Sequence, residues 1–300
     1  MASEARAARI IEDAKRLAAN GRSADASGLL QGLLADRDRS PEMLKLRSAA
    51  YIGLLQILFA EGRCGRLSKV FRQAVAEFSN LPDPEFDNLY LAGAMATGTP
   101  LVPLRRRDRF LLLLRNFEKV RGLQGQVAEC GCFQGLSSYL LCSRIRQHDP
   151  AFDGTSYQIY DSFQGLSEPR VEDTQTPEDS VELARVRQFM HKGKYAARLD
   201  EVSRSLASFP GIGYFPGWIP GAFPKDNLAR YRFIHVDVDL YQPTIDSFRY
   251  FWPLLVPGGM VVCDDYNWPG AKRAVEEFCA EAGVEFETTP LQQAFFSRPA

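Results

Sequence analysis

The stretch ValAlaGluCysGlyCysPheGlnGlyLeuSerSer, Val127–Ser138, decides the fold. An apolar run reaches Glu129, Gly131 permits a tight turn, and Gly135 opens a helical pattern over Leu136–Gln147. A strand thus passes into a helix within a few residues. Outward from this point, short unbroken apolar runs alternate with helical ones. The predicted strands are Gln126–Cys132, Ser156–Phe163, Ile212–Trp218, Arg232–Leu240 and Met260–Asp264. The helices between and after them are Leu136–Gln147, Val181–Leu206, Thr244–Leu254 and Ala271–Glu281. Such alternation predicts an α/β fold whose parallel sheet is covered on both faces. Val284–Thr289 and Ala294–Arg298 read as a terminal antiparallel hairpin. The polar, acidic segment Leu166–Lys194 is an excursion after the second strand, open to reading as a lid or as a solvated loop.

Before this pattern the chain reads as helices. Apolar residues recur at helical spacing in Ile10, Ile11, Ala14, Leu17 and Ala18, and again in Leu29, Leu30, Leu33 and Leu34. Leu17–Pro41 lines up weakly with Leu58–Pro82, and in both a glycine (Gly21, Gly62) followed by arginine falls where one helix would hand over to the next. Each unit looks like half of a helical hairpin and resembles tetratricopeptide-type repeats, and a plain helical bundle accounts for the pattern as well. A long helix is predicted over Pro103–Val120, with Arg105–Arg109 read as its solvated start. The expected division is a helical region over 1–98 and the α/β domain over 99–300. The helical region could dock a partner, form a homo-oligomer, or help build a substrate pocket.

Composition narrows the function classes. The 300 residues are 45% hydrophobic and carry a net charge of −1, so no chain-wide basic field favours nucleic acid or an anionic membrane. The longest uninterrupted apolar runs, such as Leu111–Leu114, fall far short of a membrane span, and the first ten residues lack a signal-peptide pattern. Six cysteines without a CxxC pair suggest reduced thiols and a cytoplasmic setting. Only three histidines are present, which argues against a His-rich metal site.

Three places could carry chemistry. At the first, the pattern is E-x-G-x-x-x-G (Glu129, Gly131, Gly135), so the first glycine of a dinucleotide fingerprint is missing. An acid there suits a positively charged ligand such as S-adenosylmethionine, and Ser137 lies in the helix that follows. At the second, TyrGlnIleTyrAspSerPhe ends the next strand with Asp161 and Ser162, where a carboxylate can accept both hydrogens of a ribose diol. A turn or helix cap is the structural alternative for Asp161. At the third, Asp237 and Asp239 end one strand and Asp264 and Asp265 the next. Parallel neighbours lie about 4.8 Å apart, so these carboxylates converge and would repel unless a cation sat among them. All-oxygen ligands favour Mg²⁺, Mn²⁺ or Ca²⁺ over zinc. Each aspartate taken singly could instead cap a helix. Trp218, after the third strand, could stack on a nucleobase, with core packing as its rival. His235 reads as a hydrogen-bonded core residue.

Together these motifs resemble the macrocin-type sugar O-methyltransferases. The likeness runs from Thr99–Arg106 to the end of the chain through ValAlaGluCysGlyCysPheGlnGly, TyrAspSerPheGlnGlyLeu, PheProGlyTrpIlePro, ValAspValAspLeuTyr and CysAspAspTyr. The resemblance implies a class I methyltransferase (Rossmann-like) sheet, S-adenosylmethionine as donor, and Mg²⁺ held by Asp237, Asp264 and Asp265. It implies Asp237 as general base, Glu129 and Gly131 at the donor's amino-acid end, and Asp161 at its ribose. The acceptor is then a small-molecule hydroxyl, on a sugar of a glycosylated natural product or of a surface glycan. A nicotinamide-dependent oxidoreductase and an inactive methyltransferase-like scaffold are the competing readings. The first hundred residues match the family poorly, and where it often has AspGlyAsp this chain has Asp237–Val238–Asp239.

Overall fold

A computed structural model describes residues 2–101, 104–174 and 180–300. The chain divides into two compact units, Met1–Met95 with Thr99–Asp108, and Ala96–Gly98 with Arg109–Ala300.

The first unit holds helices α1 (Ala2–Ala19), α2 (Ser23–Leu34), α3 (Pro41–Ala60) and α4 (Cys64–Phe78), α5 (Pro84–Thr97) as far as Met95, and the first residues of α6 (Leu104–Val120). The sequence repeat is visible as one turn used twice. After α1, Arg22 N–H donates to Leu17 O and Gly21 N–H to Ala18 O; after α3, Arg63 N–H donates to Leu58 O and Gly62 N–H to Phe59 O. Both glycines take positive φ, +75° and +65°, which closes a left-handed helix cap without a Cβ clash. Ser40 caps α3 by accepting from Met43 N–H, with Pro41 at the first helical position.

One expectation is qualified and one corrected in this unit. Helix α3 is long and apolar enough to cross a membrane by length and composition, although no uninterrupted apolar run is. Here it buries Met43, Ala50, Leu54, Leu55 and Leu58 in the helical core. The Arg105–Arg109 run is not wholly solvated: Arg107 is fully buried, 2.7 Å from both Asp87 and Asp108, and donates to Leu81 O at 2.6 Å. Charge spacing alone does not reveal it, because Asp87 lies twenty residues upstream.

The second unit is a seven-stranded sheet. Its strands are β1 (Gln126–Cys130), β2 (Tyr157–Asp161), β3 (Gly213–Pro216), β4 (Tyr231–Val236), β5 (Leu255–Cys263), β6 (Glu287–Thr288) and β7 (Ala294–Ser297), in the order β3-β2-β1-β4-β5-β7-β6. The first five are parallel, and β7 and β6 add antiparallel. Chain order reverses between β1 and β4, the place where open parallel sheets bind ligands at their strand ends.

Alternation along the strands sets the two layers. Ala128, Cys130, Ile234, Val236, Val261 and Cys263 face helices α10 (Tyr241–Phe251) and α11 (Pro269–Ala282), whose Phe248, Phe251 and Phe278 fill that core. On the other face Phe117 of α6 meets Phe233 edge-on at 5.4 Å, and α7 (Leu136–His148) packs beside it. The predicted helix Val181–Leu206 is two helices, α8 (Ser180–Phe189) and α9 (Leu199–Ser205). Gly193 and Tyr195 both take positive φ between them, which no helix accommodates.

The excursion after β2 closes on itself: Leu166 N–H donates to Lys194 O and Gly193 N–H to Leu166 O, both at 2.9 Å. Val186 of α8 and Met190 just after that helix are buried with Leu240, so the described part of this segment is more than a solvated loop.

Candidate active site

Strand register brings the site together. Cys130 pairs with Val236, and Val236 with Cys263, so the turns after β1, β4 and β5 leave the sheet at one level. Gly131 sits at φ +83°, and a Cβ there would fall 1.9 Å from the backbone oxygen of Asp237. The turn after β1 is therefore pressed directly against the residue that follows β4, and only glycine fits.

Asp237, Asp239 and Asp265 each bring a carboxylate oxygen within 4.8 Å of the others. The Asp239 N–H donates to Asp265 Oδ2 at 2.8 Å, a contact made possible by φ +61° at Asp239. Burial, reinforced by the charges of Asp265 and Asp264, holds the carboxyls of Asp237 and Asp239 well above the usual carboxylate range. Asp265 is pushed up to about 6 by burial and by Asp264, against the pull of Arg109. A cluster of this kind, all oxygen and short of positive charge, fits a hard divalent cation.

Asp264 stands apart from that trio. Arg109 donates to its Oδ2 and to its backbone oxygen, and Gln293 Nε2 donates to its Oδ1 at 2.5 Å. The fully buried Gln293 amide also reaches Arg109 O at 3.2 Å, fixing the pair. Arg109 remains 3.9 Å from Asp265. Burial disfavours its charge, but Asp264, Asp265 and Asp237 outweigh that and raise its pKa. The structure thus corrects the reading of Arg109 as part of a solvated helix start. Neither Arg109 nor Gln293 carries a local sequence signal, since each acts from an element more than twenty-five residues away from Asp264 in sequence.

The donor-side residues lie on the first two strand ends. Asp161 accepts from Cys132 N–H and from Phe163 N–H, each at 2.7 Å, and so ties the turn after β2 to the turn after β1. Burial raises its carboxyl pKa despite those donors. Ser162 Oγ donates to Gly165 O at 2.8 Å and shapes the local turn. Gly135, at φ +87°, is the N-cap of α7, and Ser137 is buried in that helix's first turn. Trp218 is 43% exposed, its Nε1 donating to Gly165 O at 3.3 Å, which places an indole face at the rim of this turn.

Glu129 is a correction. It has no exposed surface, and its oxygens accept from Ser138 Oγ, from Tyr157 OH at 3.0 Å, and from His235 Nδ1 at 2.8 Å. A carboxylate so enclosed faces the core, held by its neighbours, and braces the turn from beneath. His235, which shares strand parity with Asp237, is the hydrogen-bonded core histidine expected of it.

Backbone strain marks the same region. Among the described residues the non-glycine positions with positive φ are Phe133, Phe163, Tyr195, Asp239 and Gln292. The first four follow β1, β2, the excursion and β4, and the fifth precedes the Asp264-binding Gln293. Such residues persist where the surroundings over-determine them, commonly at functional sites. The exposed rings of Phe133 and Tyr195 meet edge-on at 5.5 Å there.

Among known proteins, residues 100–294 match the family described as Macrocin-O-methyltransferase (TylF). A curated relative from Streptomyces olivaceus, 8-demethyl-8-(2,3-dimethoxy-alpha-L-rhamnosyl)-tetracenomycin-C 4'-O-methyltransferase, is 28% identical over 168 residues, 54% of this chain and 61% of its own length. Mycinamicin III 3''-O-methyltransferase of Micromonospora griseorubida is 26% identical over 176 residues, 57% of this chain and 67% of its own. The similarity therefore spans about three-fifths to two-thirds of these relatives. The solved O-methyltransferase NovP aligns with a TM-score of 0.53 at 22% identity, over 70% of this chain and 88% of that one. CalS11, a calicheamicin methyltransferase, aligns with 0.57 at 16%, over 88% and 96%. These likenesses show the fold, a class I methyltransferase sheet with an antiparallel end, preceded by helices.

Proposed function

Since this chain belongs to the macrocin O-methyltransferase family, we propose that it transfers the methyl group of S-adenosylmethionine to a hydroxyl of a small molecule, a sugar of a glycosylated natural product. The observation that carries this reading is the convergence of Asp237, Asp239 and Asp265 beside the Gly131 turn. The activities for which these relatives are named, each an O-methyl transfer to a natural product, support the substrate class.

In the reaction the acceptor oxygen attacks the methyl carbon, the carbon–sulfur bond breaks, and S-adenosylhomocysteine leaves. The sulfonium is a good leaving group, so the protein must supply alignment and a stronger nucleophile. Asp237, at the end of β4 beside the Gly131 turn, takes the acceptor proton. Asp161 and the backbone of the Gly131 turn hold the donor's ribose and amino-acid ends, and Trp218 covers its base. A bound Mg²⁺ or Mn²⁺ would lower the acceptor hydroxyl's pKa. Asp237 and Asp265 would hold it, with Asp239 third; Asp264 would join only on leaving Arg109 and Gln293. The six unpaired cysteines, five of them buried, suit a reducing, cytoplasmic setting.

The test is transfer of labelled methyl from S-adenosylmethionine to a panel of sugar, glycoside and phenolic acceptors, with Mg²⁺ and with a chelator. Metal-dependent label in a glycoside is the expected result. Donor binding with no transfer to any acceptor and no metal uptake would favour an inactive scaffold.

A further inference from the structure

The helical unit carries a cavity of about 770 Å³ between α2, α3 and α4, within residues 31–77 and outside the stretch matched to the family. Its size is that of a small-molecule site. Tyr51, Leu54 and Val70, all buried, supply apolar lining.

The charges of the lining do not balance. Arg47 is 2% exposed and internally consumed: it grips Glu77 through Nε and Nη2, and its Nη1 donates to Leu34 O and Asp36 O, each at 2.8 Å. Glu77, the one acid of the lining, is thereby spent on Arg47, with Arg39 more distant at 3.7 Å. Arg66 and Lys69 also line the cavity. They lie three residues apart on α4, hence on one face, and among the described residues neither has a hydrogen-bond or ion-pair partner. The exposed amides of Gln31 and Gln73 add neutral donors in the same hollow. Cations gathered in a concavity focus a positive potential that scattered surface charges do not. A single carboxylate would answer one of them; a diphosphate presents several oxygens and more than one charge, while the apolar lining accepts an organic body.

We propose that this cavity binds a phosphorylated organic anion of the nucleoside-diphosphate class, with Arg66 and Lys69 on the phosphates and Arg39 contributing from the α2–α3 connection. None of these residues is among those proposed for methyl transfer, and the inference does not depend on that reading.

Calorimetric titration of the full chain with uridine diphosphate, inorganic pyrophosphate and uridine tests it, comparing wild type with the Arg66→Glu/Lys69→Glu double variant. Uridine diphosphate and pyrophosphate should bind saturably at low ionic strength. Their affinities should fall by about tenfold or more in the double variant, as for loss of charge-assisted hydrogen bonds. S-adenosylhomocysteine affinity, measured in parallel, should be unchanged. The single variants Arg66→Ala and Lys69→Ala, each weakening pyrophosphate several-fold, replace the double variant if it melts early. The proposal is overturned if neither phosphate compound binds, if uridine binds as well as its diphosphate, or if binding survives these substitutions undiminished.

Discussion

His235 Nδ1 lies 2.8 Å from Glu129 Oε1 with neither side chain exposed, at a point where β1 and β4 are in direct register. Two residues farther along these strands come Gly131 and Asp237, which press against each other. The buried pair thus fixes the spacing of two strands just below the turn and the carboxylate on which the proposed chemistry depends. Ser138 and Tyr157 fill the second oxygen of Glu129, joining α7 and β2 to the same point.

Removing His235 should therefore be felt first as lost stability. His235→Ala leaves Glu129 buried beside an empty volume, a change that costs about 3–5 kcal/mol when one partner of a buried pair is deleted. Urea denaturation followed by tryptophan fluorescence would measure it, and the folded variant should keep most of its affinity for S-adenosylhomocysteine. A small stability change with a large loss of donor affinity would instead return Glu129 to the donor site.

Asp239 and Asp264 separate two metal-ligand sets. With Arg109 and Gln293 occupying Asp264, Asp239→Asn should weaken Mn²⁺ binding, read by electron paramagnetic resonance, by about tenfold or more, and Asp264→Asn by less. The reverse order would mean that Arg109 releases Asp264 when the ion arrives.

Asp237→Asn should lower turnover about 10²–10⁴-fold, the usual worth of a positioned general base, while S-adenosylhomocysteine still binds. Near-normal turnover with saturating Mg²⁺ would remove Asp237 from its proposed role.

Much of this was legible in the sequence because it is local. A strand run ending in Glu129-x-Gly131 specifies a turn, and two aspartate pairs at successive strand ends specify an acidic tip. Glu129 misled for a physical reason: at a strand end its side chain can face either ligand or core, and the choice is made by His235 and Tyr157, brought in by register from strands over twenty-five residues away. Arg107 and Arg109 illustrate the same limit. They are two residues apart in one charged run, yet each is claimed by acids distant in sequence, Asp87 and Asp264. The break between α8 and α9 was hidden because helical periodicity continues across Gly193.

Gly131→Ala probes the turn directly. The added methyl meets the Asp237 carbonyl at 1.9 Å and the backbone stands at φ +83°, so both sterics and conformation oppose it. A destabilisation of about 2–4 kcal/mol, seen as a lowered melting temperature, should accompany loss of donor binding. A variant that melts like wild type and still binds donor would show that the strand tips can separate freely.

The helical unit should have its own acid sensitivity. The Arg47 hydrogen bonds hold the Glu77 carboxyl below its ordinary value of 4.5, with burial opposing and the Arg47 charge assisting. A carboxyl whose folded pKa is depressed contributes stability that is fully present above its unfolded pKa and is lost as pH falls through the folded one. Wild type should therefore exceed Glu77→Gln in protection of α3 and α4 amides by about 1–3 kcal/mol at neutral pH. The difference should hold down to roughly pH 5 and shrink below about 4.5 as Glu77 takes up its proton. Hydrogen exchange compared between the two proteins at each pH cancels the intrinsic pH dependence of exchange. A gap that widened on acidification would mean that the Arg47–Glu77 pair opposes folding of this unit.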